Sequence, residues 1–235
     1  MRFGGVVALD ELSFTIAEHE ICGLIGPNGA GKTTLFNVVS RIYEPNSGVV
    51  MFDGSNLLDV DAHEIARHGV ARTFQNLALF PRLTVLENVM VGAFVRAGSV
   101  EVGRGMARAA LAEVGLTGRA EALPAGLTTL ELRLMELARC LATGPRLVLL
   151  DEPLAGLSGD GVAVMIEVIR GVRARGVTVV IIEHTMQALL RLADRLVVLD
   201  QGRRLAEGLP GQVTQEPAVI QAYLGKRWLA RAGAR

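Results

Sequence analysis

Short apolar runs alternate with longer segments of helical periodicity along most of this chain. The runs at 147–150 and 177–182 are continuously apolar, which is typical of parallel strands covered by helices on both faces. Residues 12–16 instead alternate apolar and polar positions, which favours an antiparallel strand with one face in water. The pattern predicts strands at 8–17, 20–25, 49–53, 70–74, 147–150, 177–182 and 196–200.

The strand–helix–strand order of the second half indicates an α/β fold with a parallel sheet. Residues 78–143 carry helix signals and no good strand, so we expect a helical subdomain inserted into an α/β core. That core is formed by 1–77 and 144–224 and includes an antiparallel β subdomain, and the basic tail at 225–235 is expected to fray. Helices are predicted at 32–41, 62–68, 85–95, 107–114, 130–142, 160–173, 186–192 and 217–224.

The composition is apolar for a chain without a membrane span. Of the 235 residues 50% are hydrophobic, and the mean hydropathy is +0.37. The longest segment without Asp, Glu, Lys or Arg, 21–31, is shorter than the about 20 apolar residues that a spanning helix needs. No secretory signal is visible, so we expect a cytoplasmic chain.

The charge and cysteine counts narrow the function classes further. Basic and acidic residues balance at 24 each, which excludes a strong field for nucleic acid. Cys22 and Cys140 form no disulfide framework in a chain of this size, and both are expected to be buried thiols.

Residues 26–33 read Gly-Pro-Asn-Gly-Ala-Gly-Lys-Thr and fit the phosphate-loop pattern G-x-x-x-x-G-K-[ST]. The motif lies between an apolar run and a helical segment, so backbone N–H groups at a helix N-terminus can point at phosphate oxygens. Lys32 is predicted to reach the β- and γ-phosphates, Thr33 to bind Mg²⁺ and Thr34 to donate to the α-phosphate. The other nucleotide-binding residues predicted here are Gly26, Pro27, Asn28, Gly29, Ala30 and Gly31.

Two acids, Asp151 and Glu152, end the buried run at 147–150. Ligands of open α/β sheets collect at the carboxyl ends of strands. Asp151 is therefore predicted to bind Mg²⁺, and Glu152 to polarise the attacking water. A strand that ends in a solvated acidic turn is the alternative.

His184 follows the next apolar run, at the same expected edge of the sheet. A histidine there can hydrogen-bond a γ-phosphate and sense its loss, and a surface histidine at a helix start is the alternative. The remaining histidines, His19, His63 and His68, are interpreted as structural.

Together these motifs resemble the ATP-binding subunit of ABC transporters over nearly the whole chain, and most of all the ATPases of branched-chain amino acid importers. The more specific segments are 71–76, Ala-Arg-Thr-Phe-Gln-Asn, and 222–225, Ala-Tyr-Leu-Gly. The other matching segments are 3–5, 24–37, 79–81, 83–89 and 151–157.

The resemblance implies ATP and Mg²⁺ as ligands and assigns roles to single residues. Gln75 matches the glutamine that links Mg²⁺ and the attacking water to the membrane-spanning partner, and His184 matches the switch histidine. Phe3 falls where family members stack an aromatic ring on adenine. Residues 155–158 match the loop that meets its counterpart across a dimer.

The resemblance also implies partners and a location. These are membrane-spanning permease subunits facing residues 78–143, a second identical or similar ATPase subunit and, indirectly, a periplasmic or extracellular substrate-binding protein. No nucleic acid partner is expected. The chain would then lie at the cytoplasmic face of the cell membrane.

The family signature, usually Leu-Ser-Gly-Gly-Gln, is altered in this chain. Counting back without gaps from Asp151 places it at 127–131, where Leu130 replaces a glycine and Glu131 replaces the glutamine. Thr128 and Glu131 fit a capping box that opens the helix at 130–142. We hypothesise that Thr128, with Thr129, contacts the γ-phosphate of ATP on the opposite subunit. A well-capped helix without this role is the alternative.

Relatives carry a further strand before Phe3. Either the true start lies upstream, or the chain lacks that edge strand and holds Phe3 loosely. Two other functions stay open: a soluble ABC-type ATPase of DNA repair or ribosomes, and a nucleotide-dependent scaffold with vestigial hydrolysis. The substrate is expected to be branched-chain amino acids, with urea, short amides and other amino acids as alternatives.

Overall fold

A six-stranded mixed sheet forms the centre of the computed structural model, which describes residues 1–74 and 77–224. The strand order is β10-β9-β3-β8-β7-β6, with a parallel set from β9 to β6 and an antiparallel β9–β10 pair at one edge. The strands are β1 (Arg2–Phe3), β2 (Val6–Val7), β3 (Ile21–Ile25), β4 (Met51–Phe52), β5 (Ser55–Asn56), β6 (Val70–Arg72), β7 (Leu147–Asp151), β8 (Thr178–Ile182), β9 (Arg195–Asp200) and β10 (Arg203–Gly208).

Helices cover both faces of this sheet. The α-helices are α1 (Lys32–Val39), α2 (Val85–Ala93), α3 (Val100–Glu113), α4 (Thr129–Leu141), α5 (Gly159–Ala174), α6 (Met186–Leu192), α7 (Pro210–Val213) and α8 (Pro217–Leu224). Short 3-10 helices lie at Leu57–Asp59, Ala62–Glu64, Thr117–Arg119 and Pro124–Gly126.

Alternate residues of each central strand fill two different cores. In β3, Ile21 and Ile25 face the core formed with α2 to α6, whereas Cys22 and Leu24 face the core that contains Phe36 of α1. Both faces of the sheet are therefore dry, which explains the continuously apolar runs. Burial also raises the pKa of the thiols of Cys22 and Cys140 to about 12, so both cysteines are unreactive in the folded chain.

The predicted strand at 8–17 is absent. Leu12, Phe14 and Ile16 do turn inward against the second core, as the alternation predicts. Their backbone, however, pairs with no strand of the described residues and forms no ladder. Alternation reports burial of one face, and it cannot report whether a neighbouring strand is available for pairing.

Two further local expectations were wrong in extent. The predicted helix at 62–68 is reduced to the 3-10 turn Ala62–Glu64 followed by turns. Helix α3 begins at Val100, seven residues before the predicted start at 107, because Ser99 caps it by accepting from the N–H of Val102. Strand β10 and the β1–β2 hairpin were not predicted.

Helices α2, α3 and α4 pack on one another and form a helical region between β6 and β7. Its buried side chains join the same core as the sheet, through residues such as Val85, Leu111 and Leu137. The boundaries at 77/78 and 143/144 stay predictions. Among residues 1–74 and 77–224, none of the helices is long and apolar enough to cross a membrane.

Close contact between α2 and α4 depends on Gly92. A Cβ there would lie 2.0 Å from the carbonyl oxygen of Arg139, so the backbones of α2 and α4 are in direct contact at this point. We expect Gly92→Ala to destabilise the protein by about 1–3 kcal/mol through overpacking. Thermal denaturation should show a fall in Tm of roughly 2–4 °C per kcal/mol.

Gly105→Ala is the matched control, since Gly105 lies in α3 and a Cβ there meets nothing within 4 Å. Its higher helix propensity should stabilise the protein by up to about 1 kcal/mol. Equal Tm values for the two variants would show that α2 and α4 do not pack as described.

Candidate functional site

The phosphate loop joins β3 to α1 and is closed by its own lysine. Lys32 Nζ donates to the carbonyl oxygens of Gly26 at 2.7 Å and Pro27 at 3.1 Å. Gly31 has φ +102°, and a Cβ on it would lie 2.5 Å from the carbonyl oxygen of Ala8. Only glycine fits at position 31, because both the backbone angle and the space exclude a side chain. Asn28 and Gly29 are exposed at the tip and Ala30 is buried.

The start of α1 has the properties of an anion site. Gly31 is the N-cap and offers no side-chain acceptor, so the first N–H groups of the helix, at Lys32, Thr33 and Thr34, are left to a ligand. The ammonium of Lys32 lies in the same place, and the residue as a whole is only 7% exposed. Burial lowers the pKa of Lys32, and the charges of Glu152 and Asp151 oppose that shift.

The two acids at the end of β7 have different environments. Asp151 is buried, and its Oδ2 accepts from Arg72 at 2.9 Å. Glu152 adopts a left-handed backbone with φ +51°, and its N–H donates to the carbonyl oxygen of Ile182 at 3.0 Å. A non-glycine residue at positive φ is a strained conformation of the kind that clusters at active sites.

Glu152 and His184 meet at the carboxyl edge of the sheet. His184 Nε2 lies 2.9 Å from Glu152 Oε1. An ionised carboxylate only accepts hydrogen bonds, so Nε2 is the donor. The structure therefore places His184, whose side chain is 45% exposed, beside the acid that is predicted to polarise water.

Glu183 is a buried acid beside this pair that sequence reasoning passed over. Its Oε1 accepts from the N–H of Leu154 at 2.8 Å, and its Oε2 accepts from the N–H of His184 at 3.1 Å. Burial raises the pKa of Glu183, and these backbone hydrogen bonds oppose the shift. Glu183 thus ties the segment after Glu152 to the segment that carries His184.

The donor set fits Mg²⁺ held jointly with a nucleotide. Thr33 offers a hydroxyl and Asp151 a carboxylate, and oxygen is the ligand that Mg²⁺ prefers. Within residues 1–74 and 77–224, no cluster of three or more His, Cys, Asp or Glu could hold a metal unaided. Mg²⁺ commonly binds through one or two protein oxygens and substrate phosphates. Gln75, the third predicted ligand, lies outside the described residues.

The altered signature segment forms the predicted capping box at the start of α4. The N–H of Glu131 donates to Thr128 Oγ1, and the N–H of Thr128 donates to Glu131 Oε2. Arg119 Nε lies 2.6 Å from Glu131 Oε1. The hydrogen bond from the Thr128 backbone, followed by Arg119, lowers the pKa of Glu131. The negative charge of this substitution is therefore already partnered within the chain.

The leucine in this segment is half-buried at the helix start. Leu130 packs against the first core and also lines the groove at this end of α4. Thr128 and Thr129 line an open groove together with the loop at 156–158 and the first turns of α5. The structure thus brings together two segments that the resemblance assigns to a dimer contact.

Helix α4 also holds the segment around Gln75 from both sides. Glu136, 2% exposed, accepts from the N–H of Phe74 at 3.1 Å. Arg139, one turn later, donates to the carbonyl oxygen of Ala78. Burial raises the pKa of Glu136. The only indication of this contact in the sequence is a charged residue, Glu136, on the inward face of the predicted helix at 130–142.

Phe3 is 43% exposed and makes an edge-to-face contact with Tyr43, with 5.1 Å between ring centroids. The hairpin that carries Phe3 lies near the phosphate loop, because Ala8 just after it contacts Gly31. An adenine contact by Phe3 stays a prediction.

Comparison with known families gives two matches. The model for ABC transporters matches residues 9–155. The model for the branched-chain amino acid ATP-binding cassette transporter matches residues 203–228. The second match falls on the C-terminal part of the chain, where the sequence also carries Ala-Tyr-Leu-Gly.

Similar proteins cover the chain almost end to end. The high-affinity branched-chain amino acid transport ATP-binding protein BraF of Pseudomonas aeruginosa is 39% identical, covering 96% of this chain and 95% of its own. The protein LivG of Escherichia coli K12, described in the same words, is 37% identical, covering 96% and 95%.

Solved structures agree on the fold. A nucleotide-free ATP-binding cassette from an ABC transporter superimposes with a TM-score of 0.88 and 28% identity, covering 96% of both chains. A dimeric cassette in a post-hydrolysis state, bound to ADP and Pi, has a TM-score of 0.79 and 27% identity, covering 89% of this chain and 94% of the other. The predicted α/β phosphate-loop fold with mixed sheet and inserted helices is confirmed.

The chain contains two capping boxes of the same type, Thr128 with Glu131 and Thr84 with Glu87. Thr128→Ala and Thr84→Ala should each cost about 1 kcal/mol of stability through the lost cap. If Thr128 also contacts nucleotide, only Thr128→Ala should slow ATP hydrolysis by the purified protein. If the two variants are equally stable and hydrolyse ATP at the same rate, Thr128 serves only as a helix cap.

Proposed function

Because the chain belongs to the ATP-binding cassette family of ABC transporters, we propose that it powers uptake of branched-chain or related amino acids. It is an ATPase, and transport would proceed through separate membrane subunits. The observation that carries the proposal is the convergence of the phosphate loop, Asp151 and the Glu152–His184 pair at one sheet edge. The family match at 203–228 supports the substrate class.

The proposed chemistry follows from the positions of the side chains. Lys32 and the N-terminus of α1 hold the phosphates and offset their charge. Thr33 and Asp151 would hold Mg²⁺, which when bound would further neutralise the charge of the phosphates. Glu152 accepts hydrogen bonds from the attacking water and orients it towards the γ-phosphate.

His184 is proposed to act through Glu152 before it acts on phosphate. Its Nε2–H is engaged by Glu152 Oε1, so a hydrogen bond to the γ-phosphate requires an exchange of partners. That exchange makes the position of Glu152 sensitive to the presence of the γ-phosphate. Loss of the phosphate returns His184 to the acid.

A second ATPase subunit is proposed to complete each site. The groove between the start of α4 and the loop at 156–158 is open in this chain. The dimeric cassette among the similar structures supports assembly of two such chains. Closure of the dimer would exclude water from the phosphates and bring the signature helix of one chain to the nucleotide of the other.

The proposed contact with the permease lies on the loop before α2. Phe80 is 44% exposed, yet its backbone is fixed by Asn88, whose Oδ1 accepts the N–H of Phe80 and whose Nδ2 donates to its carbonyl oxygen. A rigid loop that presents an aromatic side chain is suited to docking. This contact would place the chain at the cytoplasmic face of the membrane, with a substrate-binding protein as an indirect partner.

Glu152→Gln keeps the shape of the side chain and removes the base. The variant should bind ATP and dimerise, and its hydrolysis rate should fall by about 10²-fold or more. Glu167→Gln, on the exposed face of α5, is the control and should hydrolyse ATP at the normal rate. Normal turnover by Glu152→Gln would remove Glu152 from the catalytic role.

The substrate class can be tested with the assembled transporter. Proteoliposomes that contain this ATPase with candidate membrane subunits and a substrate-binding protein should show ATP hydrolysis stimulated by leucine, isoleucine or valine. Urea and short amides should not stimulate it. If only urea or amides stimulate hydrolysis, the transported substrate belongs to that class and not to the branched-chain amino acids. If no membrane subunit changes the hydrolysis rate, a soluble ATPase is favoured.

A further inference from the structure

Arg72, the last residue of β6, has its guanidinium at the centre of the site. Its side chain is 7% exposed, and Nη2 donates to Asp151 Oδ2 at 2.9 Å. Nη1 donates to Asn37 Oδ1 at 2.6 Å. One side chain therefore connects the acid at the end of β7 to the helix that begins at the phosphate loop.

Two aromatic rings lie against this guanidinium at cation–π distance. Its central carbon lies 5.4 Å from the centroid of Phe36 and 5.2 Å from that of Phe74. Phe36 is fully buried in α1, and Phe74 immediately precedes residues 75 and 76. Such stacking suits the flat, delocalised charge of arginine and does not suit lysine.

The arrangement has a cost that packing alone does not explain. Nε of Arg72 is buried and has no hydrogen-bond partner in the part of the chain that the structure describes. A buried polar atom without a partner is unfavourable and calls for a compensating role. The compensation lies in the two hydrogen bonds of the terminal nitrogens, one to the carboxylate of Asp151 and one to the side-chain oxygen of Asn37.

The next residue holds the backbone of the same acid. The N–H of Asp151 donates to Thr73 Oγ1 at 3.1 Å, and the N–H of Thr73 donates to the carbonyl oxygen of Leu149 at 2.9 Å. The end of β6 therefore fixes both the main chain and the side chain of Asp151.

We infer that Arg72 is a positioning residue that holds Asp151 Oδ2 and would leave the other carboxylate oxygen to Mg²⁺. The inference rests on the proposed role of Asp151 as a magnesium ligand. Partners of this kind, which orient a metal ligand without touching the metal, typically change metal affinity or activity by about 10–100-fold when mutated.

The two possible roles of Arg72, neutralising the charge of Asp151 and orienting its carboxylate, predict opposite changes in Mg²⁺ affinity when Arg72 is replaced. If Arg72 only neutralises Asp151, removal of its positive charge makes the site more negative and strengthens Mg²⁺ binding. If Arg72 orients the carboxylate, its removal weakens Mg²⁺ binding despite the more favourable charge. Arg72→Lys separates the two effects further, since it keeps the charge and loses the fork and the stacking.

The test measures binding of a fluorescent ATP analogue to Arg72→Gln and Arg72→Lys as Mg²⁺ is titrated, and again in EDTA. The Mg²⁺ concentration at half-saturation should rise by about 10-fold or more in both variants. Affinity for the analogue in EDTA should stay close to that of the unmodified protein, because the phosphate loop is intact. A steady-state ATPase titration with Mg²⁺ should show the same shift.

Arg146 is a matched control within the same chain. It pairs with Asp53 at 2.6 Å and stacks over Phe52 at 5.0 Å, but it lies away from the phosphate loop and has no contact with Asp151. Arg146→Gln should leave the Mg²⁺ requirement unchanged. Thermal denaturation of all variants separates a loss of stability from a loss of metal binding, and Arg72→Lys keeps the test valid if Arg72→Gln does not fold.

An unchanged or lowered Mg²⁺ requirement in a folded Arg72 variant would overturn the inference and leave Arg72 as a counter-ion. A fall of analogue affinity in EDTA equal to that in Mg²⁺ would also overturn it, because the defect would lie in the phosphate loop. Failure of the unmodified protein to bind the analogue with Mg²⁺ would instead contradict the proposed function.

Discussion

The position of β8 between β3 and β7 is the constraint on which the site depends. Leu24 of β3 and Asp151 of β7 are both paired with Ile182 of β8. The phosphate loop, the two acids and His184 therefore leave the sheet at one edge and one level. A slip of one residue would turn every side chain to the other face, so the alternation that fills the two cores also fixes the register of the side chains that are predicted to act in catalysis.

Buried charge is the second organising element. Charges are tolerated in a dry interior only when they are paired or hydrogen-bonded. Lys32 is bonded to carbonyl groups of its own loop, Asp151 to Arg72, and Glu183 to two backbone N–H groups. In the proposed function, ligand binding would exchange these partners for phosphate and metal, and the main desolvation cost has already been met during folding.

The sequence identified the elements that are buried on both faces, because their apolar runs are unambiguous: β3, β7 and β8 lie within a residue of their predicted bounds. The phosphate loop and the acids were found by motif. It could not identify Arg72 or Glu136, whose contacts join residues far apart in the chain. Nor could the capping box reveal that Arg119 neutralises Glu131, since that pair depends on how the preceding turn folds back.

Helix α4 connects the two ends of the proposed machinery mechanically. Its capped first turn borders the groove of the proposed dimer contact. Further along, Glu136 accepts from the N–H of Phe74 and Arg139 donates to the carbonyl oxygen of Ala78, on either side of residues 75 and 76. These two side chains lie about 10–15 Å along the helix axis from the first turn. A helix held at these points bends little along its length. In the proposed dimer, a displacement of the first turn of α4 would reach the hydrogen bonds made by Glu136 and Arg139, and the stiffness of this one helix would set how much of that displacement is passed on.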